Sequence, residues 1–236
     1  MCGRYVLATP IDELVSFFEA SLAPAVGAEY KSSYNVAPTD SVLGLLEEES
    51  QGRVLDEFRW GLIPWWAKDL TVGSRTFNAR AESIASKPAY RDAFEKRRLA
   101  VVADGFYEWR KDEHGKRQPF YFTRADHEPM TFAGLWAVWR DRSGKDEDRH
   151  WLRSCTIITT DANKEVATVH DRMPVILEQD VLERWIDPSA GDRDELEALL
   201  RPADEGTLSF EPVDRRVGAV ANNDPGLIAP IPDPEG

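Results

Sequence analysis

Apolar and polar positions follow a strand-like pattern through the middle of the chain. Alternating or continuously apolar stretches rich in β-branched and aromatic residues predict strands. They are SVLGLLEE (41–48), RVLDEFRWG (53–61), LAVVADGFYEWRK (99–111), PFYFT (119–123), TFAGLWAVW (131–139) and WLRSCTIITT (151–160). The Glu-Ser-Gln-Gly stretch at 49–52 predicts a turn between the first two, and Asp104-Gly105 interrupts the third.

Helical spacing dominates nearer the two ends. Thr9 followed by Pro10 predicts an N-cap and a first helical position, with the helix continuing through ELVSFFEA (13–20). Asp161 is the predicted cap of the short helix 162–169. The remaining predicted helices are 87–96, 177–186 and 193–200.

Strands in the middle and helices at both ends, without βαβ alternation, predict one α+β domain. We expect a central antiparallel, barrel-like β-sheet flanked by helices. The predicted domain covers residues 1–221. Residues 222–236, with four prolines, are predicted to form an extended or loose tail.

Composition supports a folded protein but complicates the choice of partner. Hydrophobic residues make up 42% of 236 residues, and no apolar run is long enough to span a bilayer, so we expect a soluble, cytoplasmic monomer. Two cysteines and four scattered histidines predict neither a disulfide scaffold nor a metal site, and no cofactor is indicated. The net charge of −13 argues against nucleic acid as a partner, unless the acidic surface is an adaptation to salt.

Cys2 is the first candidate for chemistry. If Met1 is removed, Cys2 carries an α-amine and a thiol on adjacent carbons, and both are partly active near neutral pH. An aldehyde would condense with the amine, and the thiol would then close a five-membered ring. Taken alone, Cys2 is better interpreted as an incidental small residue behind Met1.

Five short stretches together resemble one known family. They are MCGRY (1–5), YNVAPT (34–39), RWGLIPWWAKD (59–69), FNARAE (77–82) with ADGFYEW (103–109), and TTDAN…VHDRMPVIL (159–177). In this order they resemble the SOS response-associated peptidases, abasic-site sensors that crosslink themselves to DNA. The resemblance implies a thiazolidine link between Cys2 and an abasic site in single-stranded DNA, removal of Met1 by self-processing, and a possible strand-cleaving lyase activity.

The resemblance also implies roles for three further residues beside Cys2. Glu108 would move protons; strand alternation places it on one face with Phe106, where its pKa should be raised. His170 would promote opening of the closed sugar, and Asp171 could orient it. Asn78 would hold the substrate hydroxyl or the Cys2 amine. Each has a structural alternative. Glu108 could be paired to an arginine within the sheet, His170 could cap the preceding helix, and Asn78 could stabilise a turn.

Exposed aromatic and polar residues complete the predicted site. Arg4 and Arg80 are candidates for clamping phosphates, and a loop indole can stack on bases. Of the neighbouring Trp65 and Trp66, one is expected to be buried; Cys155 is expected to be a buried small hydrophobe. The predicted DNA-binding residues are Arg4, Asn35, Pro38, Trp66, Arg80, Thr159, Thr160 and Met173.

Two other functions remain open from the sequence. Glutamine amidotransferases with an N-terminal nucleophile also begin Cys-Gly after Met, and there the thiol attacks an amide. A noncovalent module for single-stranded DNA is the other possibility, although it leaves the position of Cys2 unexplained. Loss of a denaturation-resistant DNA complex on substitution of Cys2 would separate the three.

Overall fold

Two β-sheets account for most of the regular structure. A computed structural model describes residues 2–24, 26, 30–111, 113–141 and 151–233, in which there are thirteen strands and five α-helices, besides short 3₁₀ segments. The strands are β1 (Tyr5–Leu7), β2 (Ser21–Leu22), β3 (Ser33–Val36), β4 (Ser41–Glu48), β5 (Gly52–Trp60), β6 (Asn78–Arg80), β7 (Arg98–Ala103), β8 (Gly105–Lys111), β9 (Arg117–Arg124), β10 (Met130–Arg140), β11 (Trp151–Asp161), β12 (Arg172–Pro174) and β13 (Leu208–Pro212). The helices are α1 (Ile11–Phe17), α2 (Arg91–Lys96), α3 (Lys164–Ala167), α4 (Gln179–Ile186) and α5 (Arg193–Ala198).

The larger sheet closes into a five-stranded barrel. Its order is β12-β11-β10-β7-β4-β5-β2, and β11 also pairs with β5, so that β11, β10, β7, β4 and β5 form a ring. The closing contact is parallel, with Cys155 opposite Trp60. Gly134 permits close packing, because a Cβ there would lie 2.8 Å from the Thr156 carbonyl oxygen. The predicted α+β fold with a barrel-like sheet is confirmed.

The second sheet carries the beginning of the chain. Its order is β13-β9-β8-β1-β3, so β1 lies between β8 and β3. Phe106 of β8 packs into the main core, whereas Tyr107 and Trp109 pack on the other face with Val213 and Val217. The predicted alternation is confirmed, and it points Glu108 inward beside the core.

A single buried arginine connects the helices to the barrel. Arg98, 5% exposed, begins β7 and donates hydrogen bonds to five backbone carbonyls. The acceptors are the carbonyl oxygens of Phe94, Glu95, Trp185, Asp187 and Ala190, at 2.7–3.0 Å. Four of these carbonyls lie at the carboxyl ends of α2 and α4, where carbonyls have no partner within the helix, and that of Ala190 lies in the loop after α4. Arg98 therefore satisfies both ends at once.

Two predicted helix caps are wrong. Pro10 precedes α1 without a side-chain cap, and the Thr9 hydroxyl instead donates to Asp104 Oδ1 at 2.7 Å. The cap of α3 is Asn163, whose Oδ1 accepts from the Val166 amide at 3.0 Å. Asp161 ends β11 and has a different use, as an ion-pair partner in the site.

The prediction of an extended or loose tail is wrong for residues 222–233. Leu227 is fully buried within the 3₁₀ turn Pro225–Ile228. The Asn222 carbonyl accepts from Asn35 Nδ2 at 2.7 Å, and Asn223 Oδ1 accepts from the Tyr34 amide at 2.7 Å. This segment therefore packs against β3. Residues 234–236 lie outside the described residues. The division of the chain at residue 221 stays a prediction.

Candidate active site

Strand pairing brings four distant residues toward one place. β1, which follows Cys2, pairs with β8, which carries Glu108. β6 and β12 both pair with β11, which positions Asn78 and the turn that carries His170. None of the described helices has the length and apolar character needed to cross a bilayer.

Cys2 is enclosed at the start of this arrangement. It is 0% exposed, and Asn78 Nδ2 donates to its carbonyl oxygen at 2.6 Å. Asn78 Oδ1 is buried and has no hydrogen-bond partner among the described residues. Burial, and next the negative charge of Glu108, raise the pKa of the Cys2 thiol. The thiol is therefore protonated near neutral pH and needs a base before it can react.

Glu108 is a buried carboxyl with a histidine nearby. It is 2% exposed, and burial raises its pKa, although the charge of His170 acts in the opposite direction. Its Oε2 lies 4.0 Å from His170 Nε2. A carboxyl with a raised pKa exchanges protons more readily near neutral pH than an ordinary one. The raised pKa expected from the sequence is confirmed.

The orientation of His170 is set by its other ring nitrogen. The Arg172 amide donates to His170 Nδ1 at 3.0 Å, so the neutral ring carries its proton on Nε2, toward Glu108. Asp171 Oδ1 is also 3.0 Å from Nδ1 and would accept from it in the imidazolium form. The Arg172 amide thus keeps His170 Nε2–H directed at Glu108.

Arg172 supports this turn, and the sequence did not single it out. Its side chain donates to Glu82 at 2.6 Å, to Asp161 at 2.7 Å and to the Thr159 carbonyl at 2.6 Å. It therefore fastens β12, next to His170, onto β11. The sequence signal that could have identified Arg172 was its position in the motif stretch HDRMP (170–174). Nowhere in the described ranges, this site included, do three His, Cys, Asp or Glu side chains gather as a metal site requires.

The predicted surface residues divide into two groups. Trp66 is 48% exposed, Arg80 is exposed and Pro38 is half-buried, so these three present surface. Trp65 is 58% exposed, so the expected burial of one of the two indoles is wrong. Both indoles lie on the loop between β5 and β6, where they are accessible to a ligand.

The other predicted DNA-binding residues are largely enclosed. Asn35, Thr159, Thr160 and Met173 are at most 6% exposed. Arg4, half-buried, donates from Nη1 to Asn35 Oδ1 and to the Val217 carbonyl, each at 2.8 Å. The four buried side chains therefore offer almost no surface to DNA, and Arg4 and Asn35 bond to the chain itself. Cys155 is fully buried in β11, as expected.

Comparison with known proteins identifies the family and supports the fold. A family model described as SOS response associated peptidase (SRAP) matches residues 1–220. The abasic site processing protein YoqW of Bacillus subtilis is 37% identical over 97% of this chain and 99% of its own length. YedK of Escherichia coli, also named an abasic site processing protein, is 30% identical over 98% of this chain and all of its own. A crystal structure of a Bacteroides thetaiotaomicron protein shares the fold, with a TM-score of 0.85, 24% identity and coverage of 98% of this chain and 100% of that one. The chain belongs to the SOS response associated peptidase family.

Proposed function

We propose that this protein captures abasic sites in single-stranded DNA as a covalent thiazolidine on Cys2, after Met1 has been removed. The observation that carries the proposal is the setting of Cys2. The Asn78 amide donates to its carbonyl oxygen, and the charge of Glu108 acts on its thiol. The names of the curated relatives support abasic-site processing as the reaction class. Family membership favours this function over glutamine hydrolysis.

The chemistry needs an amine and a thiol on the same residue. The ring-opened abasic sugar presents an aldehyde; the Cys2 amine adds to it and expels one water to give an imine. The thiol sulfur then bonds to the imine carbon, and its proton passes to the nitrogen. Only an N-terminal cysteine has both groups in place for this ring, which explains why the position of Cys2 matters.

Glu108 and His170 supply the proton transfers. A thiol whose pKa is raised by burial reacts only if its proton is removed as the S–C bond forms. Glu108 would take that proton and return it to the nitrogen. His170, with Nε2–H toward Glu108, would donate to the sugar ring oxygen as the ring opens.

Removal of Met1 would use the same groups. Hydrolysis adds one water across the Met1–Cys2 peptide bond and releases methionine, with Glu108 as the base for that water. Asn78 already orients the Cys2 backbone through its carbonyl, and its unpartnered Oδ1 offers an acceptor to the new amine. Met1 itself lies outside the described residues.

The surface around the site suits a flexible single strand. Arg80 offers a cation to phosphate, and Pro38 and Trp66 offer apolar surface. Noncovalent binding to phosphates weakens with salt, whereas a covalent bond does not depend on counterion release. An acidic protein can therefore retain DNA. A lyase side reaction would begin from the imine: the sugar carbon next to the imine carbon (C2′) loses a proton, the 3′ phosphate leaves, and a carbon–carbon double bond forms.

Intact-mass measurement of the product tests the proposal. We expect a denaturation-resistant species whose mass equals the protein without Met1 plus the abasic oligonucleotide minus one water. Matched oligonucleotides, one with an intact base and one with a tetrahydrofuran sugar that cannot open to an aldehyde, should give none. A protein shown to lack Met1 that forms no such species would overturn the proposal. Ammonia release from glutamine would then test the amidohydrolase alternative.

A further inference from the structure

A cleft between the two sheets has no part in the chemistry described above. It has a volume of about 180 Å³, and its walls come from β1 and β3 of the second sheet and from β4 and β5 of the barrel. None of the four proposed catalytic residues lines it. An apolar cavity of about 150 Å³ binds benzene, so this cleft has room for an apolar group of comparable size.

The inner part of the cleft is apolar and contains one unused hydroxyl. Its apolar walls, at most 6% exposed, are Leu7, Val36, Val42 and Leu43. Tyr5 also lines the cleft; it is 0% exposed, and its hydroxyl has no hydrogen-bond partner among the described residues. Burial raises the pKa of Tyr5, so the hydroxyl stays protonated and can donate. A buried donor without a partner is costly, and a ligand atom that accepts from it would reduce that cost.

The outer part of the cleft presents charges of both signs. Lys31 is exposed, and its ammonium forms no hydrogen bond or ion pair with the part of the chain that the structure describes. Glu57 is half-buried and accepts from the Ser41 hydroxyl through Oε1, which leaves Oε2 for a second donor. The mouth of the cleft therefore offers one cation and one anion to a ligand.

This combination favours a zwitterion with an apolar side chain. The Glu57 charge would repel a simple carboxylic acid, and the Lys31 charge would repel a simple amine. A free α-amino acid carries a carboxylate for Lys31 and an ammonium for Glu57, and its side chain can extend into the apolar part. A thioether suits the floor at Tyr5, because its sulfur is a weak hydrogen-bond acceptor that also packs favourably against aromatic rings.

We propose that this cleft binds a free α-amino acid with an unbranched apolar side chain, and that methionine binds best among these. Lys31 binds the α-carboxylate, Glu57 binds the α-ammonium, and the Tyr5 hydroxyl donates to the sulfur. The site is separate from the residues that would capture DNA, so the proposal does not rest on the proposed function.

Isothermal titration calorimetry without DNA tests the site. L-methionine is compared with L-norleucine, in which a methylene replaces the sulfur. N-acetyl-L-methionine and L-methioninamide remove the ammonium and the carboxylate charge, respectively. The proteins are the wild type, Lys31→Gln, Tyr5→Phe and the matched control Lys87→Gln. Lys87 is exposed, as Lys31 is, and does not line the cleft.

We expect L-methionine to bind the wild type at one site, and both blocked forms to bind about tenfold more weakly, the equivalent of one hydrogen bond to a charged group. Lys31→Gln should weaken the binding of L-methionine about tenfold, whereas Lys87→Gln should leave it unchanged. Tyr5→Phe should remove the preference for L-methionine over L-norleucine and leave the affinity for L-norleucine as it is in the wild type.

Two results would overturn the proposal: no saturable binding of L-methionine to the wild type, or equal affinities of Lys31→Gln and Lys87→Gln. Equal affinities of the wild type for L-methionine and L-norleucine would overturn the role of the Tyr5 hydroxyl, even if Tyr5→Phe does not fold. Failure to crosslink abasic DNA would count against the proposed function alone, because these titrations contain no DNA.

Discussion

Cys2 and Cys155 are equally buried, yet only one has neighbours that can act on its thiol. Both side chains are 0% exposed, and burial raises the pKa of both thiols. Cys155 lies in the middle of β11, between Trp136 on β10 and Trp60 on β5. Cys2 precedes β1, with Asn78 on its carbonyl and the Glu108 charge acting on its thiol. Burial therefore does not distinguish the two cysteines; under the proposed function, the neighbouring Glu108 carboxyl and the terminal position that follows removal of Met1 do.

The largest expected effect separates the two cysteines by matched substitution. Cys2→Ser should abolish the denaturation-resistant DNA complex, because a hydroxyl does not replace the thiol as nucleophile. Cys155→Ser should retain crosslinking per folded molecule and lower the free energy of unfolding by about 1–3 kcal/mol, since it buries a hydroxyl among apolar groups. Denaturing gels and urea unfolding measure the two effects. A crosslink surviving in Cys2→Ser would remove the distinction.

Glu108→Gln tests whether the carboxyl is what distinguishes the Cys2 environment. Loss of the base should slow crosslinking by about 10²–10⁴-fold. Because the folded pKa of Glu108 is raised above its usual 4.5, the folded state binds the proton more tightly than the unfolded state. The stability of the wild type relative to Glu108→Gln should then fall as pH rises from about 4.5 through the raised pKa.

Urea unfolding of both proteins across that pH range checks the sign. A stability difference that does not change with pH would mean that Glu108 has the same proton affinity in both states. Normal crosslinking by Glu108→Gln would assign the base to another group.

Arg98→Met tests a second comparison, between a buried polar group that stabilises the fold, Arg98, and one that is proposed to serve the reaction, Asn78. Arg98 pairs with five carbonyls, whereas Asn78 Oδ1 has no hydrogen-bond partner in the described structure. Arg98→Met should lower the free energy of unfolding by about 3 kcal/mol, because it leaves buried carbonyls unsatisfied. Crosslinking per folded molecule should not change. The free energy of unfolding of Arg98→Lys, which has fewer donors than arginine, should lie between those of the wild type and Arg98→Met.

Asn78→Asp should have the smallest effect of the four. The shape is retained, but the donor to the Cys2 carbonyl becomes an acceptor, and crosslinking should slow about tenfold, the equivalent of one hydrogen bond. Thermal unfolding should show that the protein remains folded. A rate equal to that of the wild type would show that the Asn78 contact does not position Cys2 for the reaction.

Local patterns in the sequence predicted the strands and the inward face of Glu108, because alternation is a property of neighbouring residues. They did not predict that β5 and β11 close a barrel, since that pairing joins residues about 95 positions apart, Arg59 with Ser154 and Trp60 with Cys155. The site shows the same limit. The motif led to Glu108 and His170, but the support from Arg172 depends on Glu82 and Asp161.

The predicted phosphate contacts show why residue type alone is not sufficient. Arg4 and Asn35 are polar and lie in motif stretches, which is equally true of residues that bind ligands and of residues that bind the chain itself. Their partners are carbonyls of Val217, Ala219 and Asn222, which no local pattern connects to the first strands. Trp65 and Trp66 differ, because a Pro-containing charged loop does favour exposure.

The bonds from Arg4 and Asn35 to residues 217–222 also fix an order of events during synthesis. The first strand can pair with β3 and β8 earlier, but the side chains of Arg4 and Asn35 find these carbonyl partners only when residues 217–222 have left the ribosome. A general aminopeptidase would have that interval in which to act on Met1, before Cys2 is enclosed. Under the proposed function, removal of Met1 after that interval would fall to the folded protein itself.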